Sequence, residues 1–178
     1  MPHPEAITGI SDHGGWAILV TATREGQVLD RRRVELVAPD LPPIPHHVEG
    51  KSLPLPQAVA LVERVQISAE QCAQLALETL ARDVPARILG VALRQCPPLP
   101  PTIAERITNY RASNVADWVM YRHALAAAAQ ACGWAVHWYD AKSVLATAAD
   151  ALDLRSTLGP PWTQDHKMAL AAALAATR

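Results

Sequence analysis

Apolar positions along this chain fall first at strand spacing and then at helical spacing. Three strand-like runs open it, over residues 6–11, 15–23 and 27–37, rich in Ile, Val, Leu and Thr. Arg24-Glu25-Gly26 predicts a hairpin turn between the second and third. Prolines at 39, 42, 43, 45, 54 and 56 exclude regular helix there and predict a long functional loop or flexible connector over 39–56. From Gln57 the period becomes helical, with Leu61, Val62, Val65, Cys72, Leu75 and Leu80 as the apolar stripe. Ser68 with Gln71 resembles a capping box, so a break is expected near Gln66. Residues 87–93 are apolar on both faces, as an interior parallel strand must be, and the proline run 96–101 ends them. A helix over 114–132 carries Val115, Trp118, Val119, Arg122, Leu125, Ala126 and Ala129 in register, and Gly133 stops it. Residues 134–139 read as a fifth strand. Asp140 then caps a helix through Leu152, and Thr163 caps a closing helix to Ala176. The order β-β-β-α-β-α-β-α-α predicts an α/β fold, a mixed five-stranded sheet flanked by helices, because parallel neighbours need helical crossovers.

Composition narrows this picture without changing it. The 178 residues suit one domain, 1–178, with a sizeable core, and half of them are hydrophobic. A formal charge of -1 argues against a broad electrostatic footprint for nucleic acid and leaves room for a local basic face. Arg31, Arg32 and Arg33 form the only basic run; on a strand they alternate between faces, so a solvated edge strand is the expectation. Cys72, Cys96 and Cys132 are widely spaced and odd in number, which points to reduced thiols acting as small core residues. With no signal-peptide pattern and no run of 18 apolar residues, a cytoplasmic protein with no membrane partner is expected.

Chemistry enters at the opening. Ile7-Thr8-Gly9-Ile10-Ser11-Asp12-His13-Gly14 followed by Gly15-Trp16-Ala17-Ile18 places one carboxylate in a tight turn at the end of a strand. This opening and the element order resemble the ribonuclease H-like superfamily. Within it they resemble the Holliday-junction resolvases, whose first strand reads roughly I-x-G-I-D-x-G before G-[YWF]-A-[VI]. The resemblance implies a metal-dependent nucleic-acid phosphodiesterase acting on branched or single-stranded nucleic acid. Carboxylates from the first strand, the fourth strand and the last helix would converge on Mg2+, two such ions about 3.5–4 Å apart activating water and stabilising the leaving oxygen. On that reading Asp12 and Asp165 are the catalytic residues and metal ligands.

The sequence departs from the family pattern in two places. The family aspartate aligns with Ser11, so Asp12 comes one residue late, and such a shift turns a side chain to the other face. The fourth strand contains no acid, and Glu105 lies beyond a proline run. The expectation is therefore a nuclease-like fold with a degraded or rearranged active site. The alternative is a catalytically inactive member that binds nucleic acid or a protein, or self-associates as a homodimer. A third reading is an unrelated small-molecule module with an enclosed apolar pocket near the tryptophans. Plainer roles also exist for both acids: Asp12 as a turn residue bonding its own backbone, and Asp165 as an acid complementing the dipole of a helix start.

Other constellations carry less. His46-His47-Val48-Glu49 has metal-ligating types, but neighbouring histidines rarely meet on one ion, so a solvated loop is expected. Asp117, Tyr121, Arg122 and His123 predict a polar network within their own helix. Arg106 and Arg111 flank Tyr110 and are the candidates for nucleic-acid contact. Trp118, Trp134 and Trp138 fall in core elements and are read as anchors. GxxxxGK[ST], GxGxxG and GxSxG are all missing, which disfavours phosphate-loop ATPases, dinucleotide enzymes and elbow hydrolases.

Overall fold

The first three strands are eight residues each: β1 (Glu5–Asp12) and β2 (Trp16–Thr23), built mainly from β-branched, aliphatic and small residues, and β3 (Val28–Glu35), in which Val28, Leu29 and Val34 flank a charged stretch. Two tight turns join them, each using a glycine at positive φ, Gly15 and Gly26. In the computed structural model, which describes residues 3–148 and 153–178, these strands form an antiparallel meander. β4 (Arg87–Arg94) pairs parallel to β1, and β5 (Ala135–Tyr139) pairs parallel to β4. The sheet order is β3-β2-β1-β4-β5. This is the expected mixed five-stranded α/β architecture, with the arginine run on an edge strand.

Helices cover both faces. α1 (Leu55–Asp83) and α3 (Tyr110–Ala131) pack on one face over Ile10, Leu19, Val91 and Leu93. α4 (Ala141–Ala148) and α6 (Gln164–Ala176) pack on the other, over Ile7, Ile18, Val20 and Ala92. The short helices α2 (Ile103–Thr108) and α5 (Arg155–Leu158) complete the set. Side chains on β1 alternate as a strand requires: Ile10 and Asp12 face α1 and α3, while Ile7 and Ser11 face α6. Gly9 lets α6 approach the sheet backbone closely, because a Cβ there would overlap the Ala169 carbonyl.

Several local expectations are revised. α1 runs unbroken through Gln66, because Ser68 is buried and its hydroxyl accepts the Ala38 N–H at 2.9 Å instead of capping a helix. Leu75, assigned to the apolar stripe, is 66% exposed, and Ala69, Ala73 and Leu77 are buried in the core instead. α3 begins at Tyr110, four residues before Asn114, because Asn109 caps it by accepting the Ala112 N–H. The 39–56 segment is structured against the core and contains a 3-10 turn, Glu49–Lys51. Trp138 is exposed, whereas Trp162 is buried against α6. Asp140 caps α4 by accepting the Ser143 N–H, and the expected helix end at Leu152 lies outside the described residues.

Candidate functional site at the carboxyl ends of the strands

The chain leaves β1 toward β2 on one side and leaves β4 toward β5 on the other. In open α/β sheets such a divergence opens a crevice outside the strand ends, and ligands bind there. Here the crevice is a cavity of about 570 Å³ whose lining includes Arg94, Asn114, Trp118, Arg122 and Asp140. Arg94 ends β4, Asp140 follows β5, and the other three lie on α3.

At the floor of this region Asp12 meets Arg122. Nε of Arg122 donates to both Asp12 oxygens, at 2.8 and 3.0 Å, and its Nη1 donates to the Gln95 carbonyl at 3.1 Å. Both side chains are buried, 1% exposed for Asp12 and 8% for Arg122. Burial pushes the Asp12 carboxyl above its ordinary range, and the Arg122 guanidinium pulls against that shift. The Cys96 thiol is also held high by burial. Asp12 bonds its own backbone N–H, as expected of a turn residue, but it is not an open carboxylate. It is one half of a buried ion pair spanning 110 positions of sequence.

Asp165 sits across the sheet, in the first turn of α6. It accepts the Ser11 hydroxyl at 2.8 Å and lies 2.7 Å from His13 Nε2. His13 stacks on Trp16 with ring centroids 4.0 Å apart, and the Arg33 guanidinium lies 3.9 Å from the Trp16 ring centroid. These groups reach solvent: the side chains of His13 and Asp165 are 39% and 30% exposed. Tyr139 crosses β4 on this face and donates to the Ile10 carbonyl at 2.8 Å, its hydroxyl pKa raised by burial.

The structure therefore gives the two sequence-predicted acids separate partners on opposite faces of β1. The alternation of a strand is the cause: Ser11 faces α6, so Asp12, one residue on, faces α3. β4 supplies no third acid. This donor set does not fit a pair of magnesium ions, because a divalent ion at Asp12 would have to displace a guanidinium bound to both of its oxygens. Among the described residues no group of three or more His, Cys, Asp or Glu side chains is placed to hold a metal ion.

The remaining candidates fall elsewhere. Arg106 donates to the Pro100 and Pro101 carbonyls, fixing the proline run, and Arg111 is exposed on the first turn of α3. The expected network within α3 is replaced by long-range bonds: Tyr121 donates to the Pro43 carbonyl, and Asp117 bonds His46. His46 is 1% exposed and not solvated, contrary to expectation. Sequence reasoning missed the roles of Ser11, His13 and His46, and the pairing of Arg122 with Asp12. Only the arginine in the apolar register of α3 hinted that a buried cation needed a partner.

No family model matches this chain, and no curated relative matches it. Solved structures do. A structure of Thermus thermophilus RuvC aligns over 95% of this chain and 90% of its own, with a TM-score of 0.57 and 18% identity. A second, T. thermophilus RuvC in complex with a Holliday junction substrate, aligns over 96% and 90%, with a TM-score of 0.53 and 18% identity. The chain has a ribonuclease H-like fold. Within that fold, the strand ends of this chain carry a guanidinium against the β1 acid and leave β4 without one.

Proposed function

We propose that this chain is a non-cleaving ribonuclease H-like protein that binds branched nucleic acid at the carboxyl ends of its strands. The observation that carries the reading is the Asp12–Arg122 pair. It supplies the positive charge beside the β1 acid from the protein itself, so no divalent ion is needed to balance that carboxylate. Basic and aromatic side chains alternate around the same end of the sheet. Arg94 and Trp118 line the crevice, and Arg33, Trp16 and His13 lie on the α6 side. Cations that meet phosphates, with rings that stack on unpaired bases, are the usual means of holding single-stranded or splayed nucleic acid. The similarity to a RuvC bound to a Holliday junction supports a branched substrate as the ligand.

Fluorescence polarisation with labelled four-way junction, forked and linear duplex DNA tests this. The expected result is tighter binding to the junction in EDTA, weakened by salt and by Arg94→Ala, with no strand cleavage when magnesium or manganese is added. Equal, weak binding to all three DNAs would remove the nucleic-acid reading. Metal-dependent cleavage that stops in Asp12→Asn would restore the nuclease.

A further inference from the structure

β3 ends the sheet, and among the described residues no strand pairs with its outer side. The Leu36 N–H donates to the Gly15 carbonyl at 2.7 Å, which sets the phase of the β2–β3 ladder. Residues of an antiparallel strand alternate between bonding the neighbour and facing away from it. Val34 and Arg32 therefore bond to β2, and the N–H and C=O groups of Arg31, Arg33 and Glu35 point outward. Charged side chains guard such an edge in many proteins, and an arginine run could do so here. Its charges are instead turned back into the protein. Arg31 donates to the Leu158, Gly159 and Pro161 carbonyls, Arg32 pairs with Asp30 and Asp83, and Arg33 pairs with Glu35 at 2.8 Å.

Beside this edge, on the α1 face, lies a groove of about 780 Å³. Val34 and Val37 form one wall, and Cys72, Leu75 and Ala76 of α1 form the other. Leu75, 66% exposed, is the most exposed large aliphatic side chain among the described residues. A strand added to β3 would place every second side chain in this groove.

The residues of the edge select that strand. A second copy of the chain would pair with β3 antiparallel about a twofold axis, so each register is defined by the residue on the axis. With Val34 on the axis, Arg33 of each copy lies opposite Glu35 of the other, and outward backbone groups meet outward ones. The two Val34 side chains then meet on the α1 face, each at the other copy's groove. With Arg31, Arg32, Arg33 or Glu35 on the axis, like charges lie directly opposite, which destabilises a pair. The Arg33 and Glu35 side chains are 51% and 64% exposed, open enough to bond across the axis as well as along the strand. We infer that β3 is a dimer interface, at which the sheet of one chain continues into the sheet of a second copy with Val34 on the twofold axis. The inference does not depend on nucleic-acid binding.

Sedimentation velocity of the full chain over a hundredfold range of concentration tests it. The expected result is a reversible monomer–dimer equilibrium. Arg33→Glu should weaken association by about tenfold, because two cross-strand pairs become repulsive at once. Arg33→Glu/Glu35→Arg exchanges the charges and should restore it. Leu75→Glu, on the outer surface of α1, should also weaken it while leaving the melting temperature unchanged. A chain that stays monomeric, a dimer indifferent to Arg33→Glu and Leu75→Glu, or a charge exchange that fails to restore association would each overturn the inference. A β3 edge that takes up a foreign extended peptide in place of a second copy would appear as the first of these.

Discussion

The two faces of the sheet treat the acids at the end of β1 in opposite ways. On the α3 face Asp12 and Arg122 are sealed from water and bonded to each other. On the α6 face Asp165, Ser11 and His13 make comparable hydrogen bonds in partial contact with solvent. A buried ion pair is costly to break and slow to exchange partners, whereas a half-exposed one is cheap and adaptable. The sealed face therefore sets the architecture of the strand ends, and the open face is where a ligand can compete for bonds.

Breaking the sealed pair is expected to have the largest effect. Arg122→Ala leaves a buried carboxylate unpaired and should cost about 3–5 kcal/mol in urea denaturation, with much of the loss recovered in Asp12→Leu/Arg122→Met. Gly9→Ala comes next: its Cβ collides with the Ala169 carbonyl, α6 must move, and a loss of about 1–3 kcal/mol is expected on the same measurement. On the open face, Asp165→Asn should cost only about 1 kcal/mol, since its partners rehydrate. That loss should be markedly smaller than the loss from Arg122→Ala, and equal losses would erase the contrast between the faces.

The smallest effect concerns pH. His166 Nδ1 accepts the Thr163 N–H at 3.2 Å and closes the capping box of α6, the helix that carries Asp165. Burial and nearby Arg31 lower its pKa in the fold below the ordinary 6.5. The unfolded chain then binds the proton more readily. The stabilisation is present above about pH 6.5 and is lost as pH falls through the depressed folded value. His166→Gln keeps an acceptor at the same capping position and should flatten this acid-side loss in denaturation midpoints measured between pH 7.5 and 5.

Local chemistry made the sheet legible. β1 and β2 follow from β-branched and aliphatic runs, β3 from the Glu-Gly hairpin turn that precedes it, and β4 from an apolar run bounded by prolines. Strict alternation also showed that Asp12 and the family aspartate position face different sides. Contacts distant in sequence stayed hidden. Nothing near Ser68 marks it as an anchor for Ala38, so its hydroxyl resembled a helix cap. Arg122 and Asp117 sit at spacings that suit pairing within one helix, and only the fold brings them to Asp12 and His46. Leu75 fits the helical period but falls where α1 turns to solvent, and periodicity alone cannot tell a core stripe from its neighbour.

Binding of manganese to the DNA-free protein tests the central claim most directly. Titration followed by electron paramagnetic resonance should find no stoichiometric site in the wild-type chain at sub-millimolar manganese, and no change in Asp12→Asn. A tight one-to-one manganese site that disappears in Asp12→Asn would show that Arg122 yields its place to a metal ion, and would contradict the account.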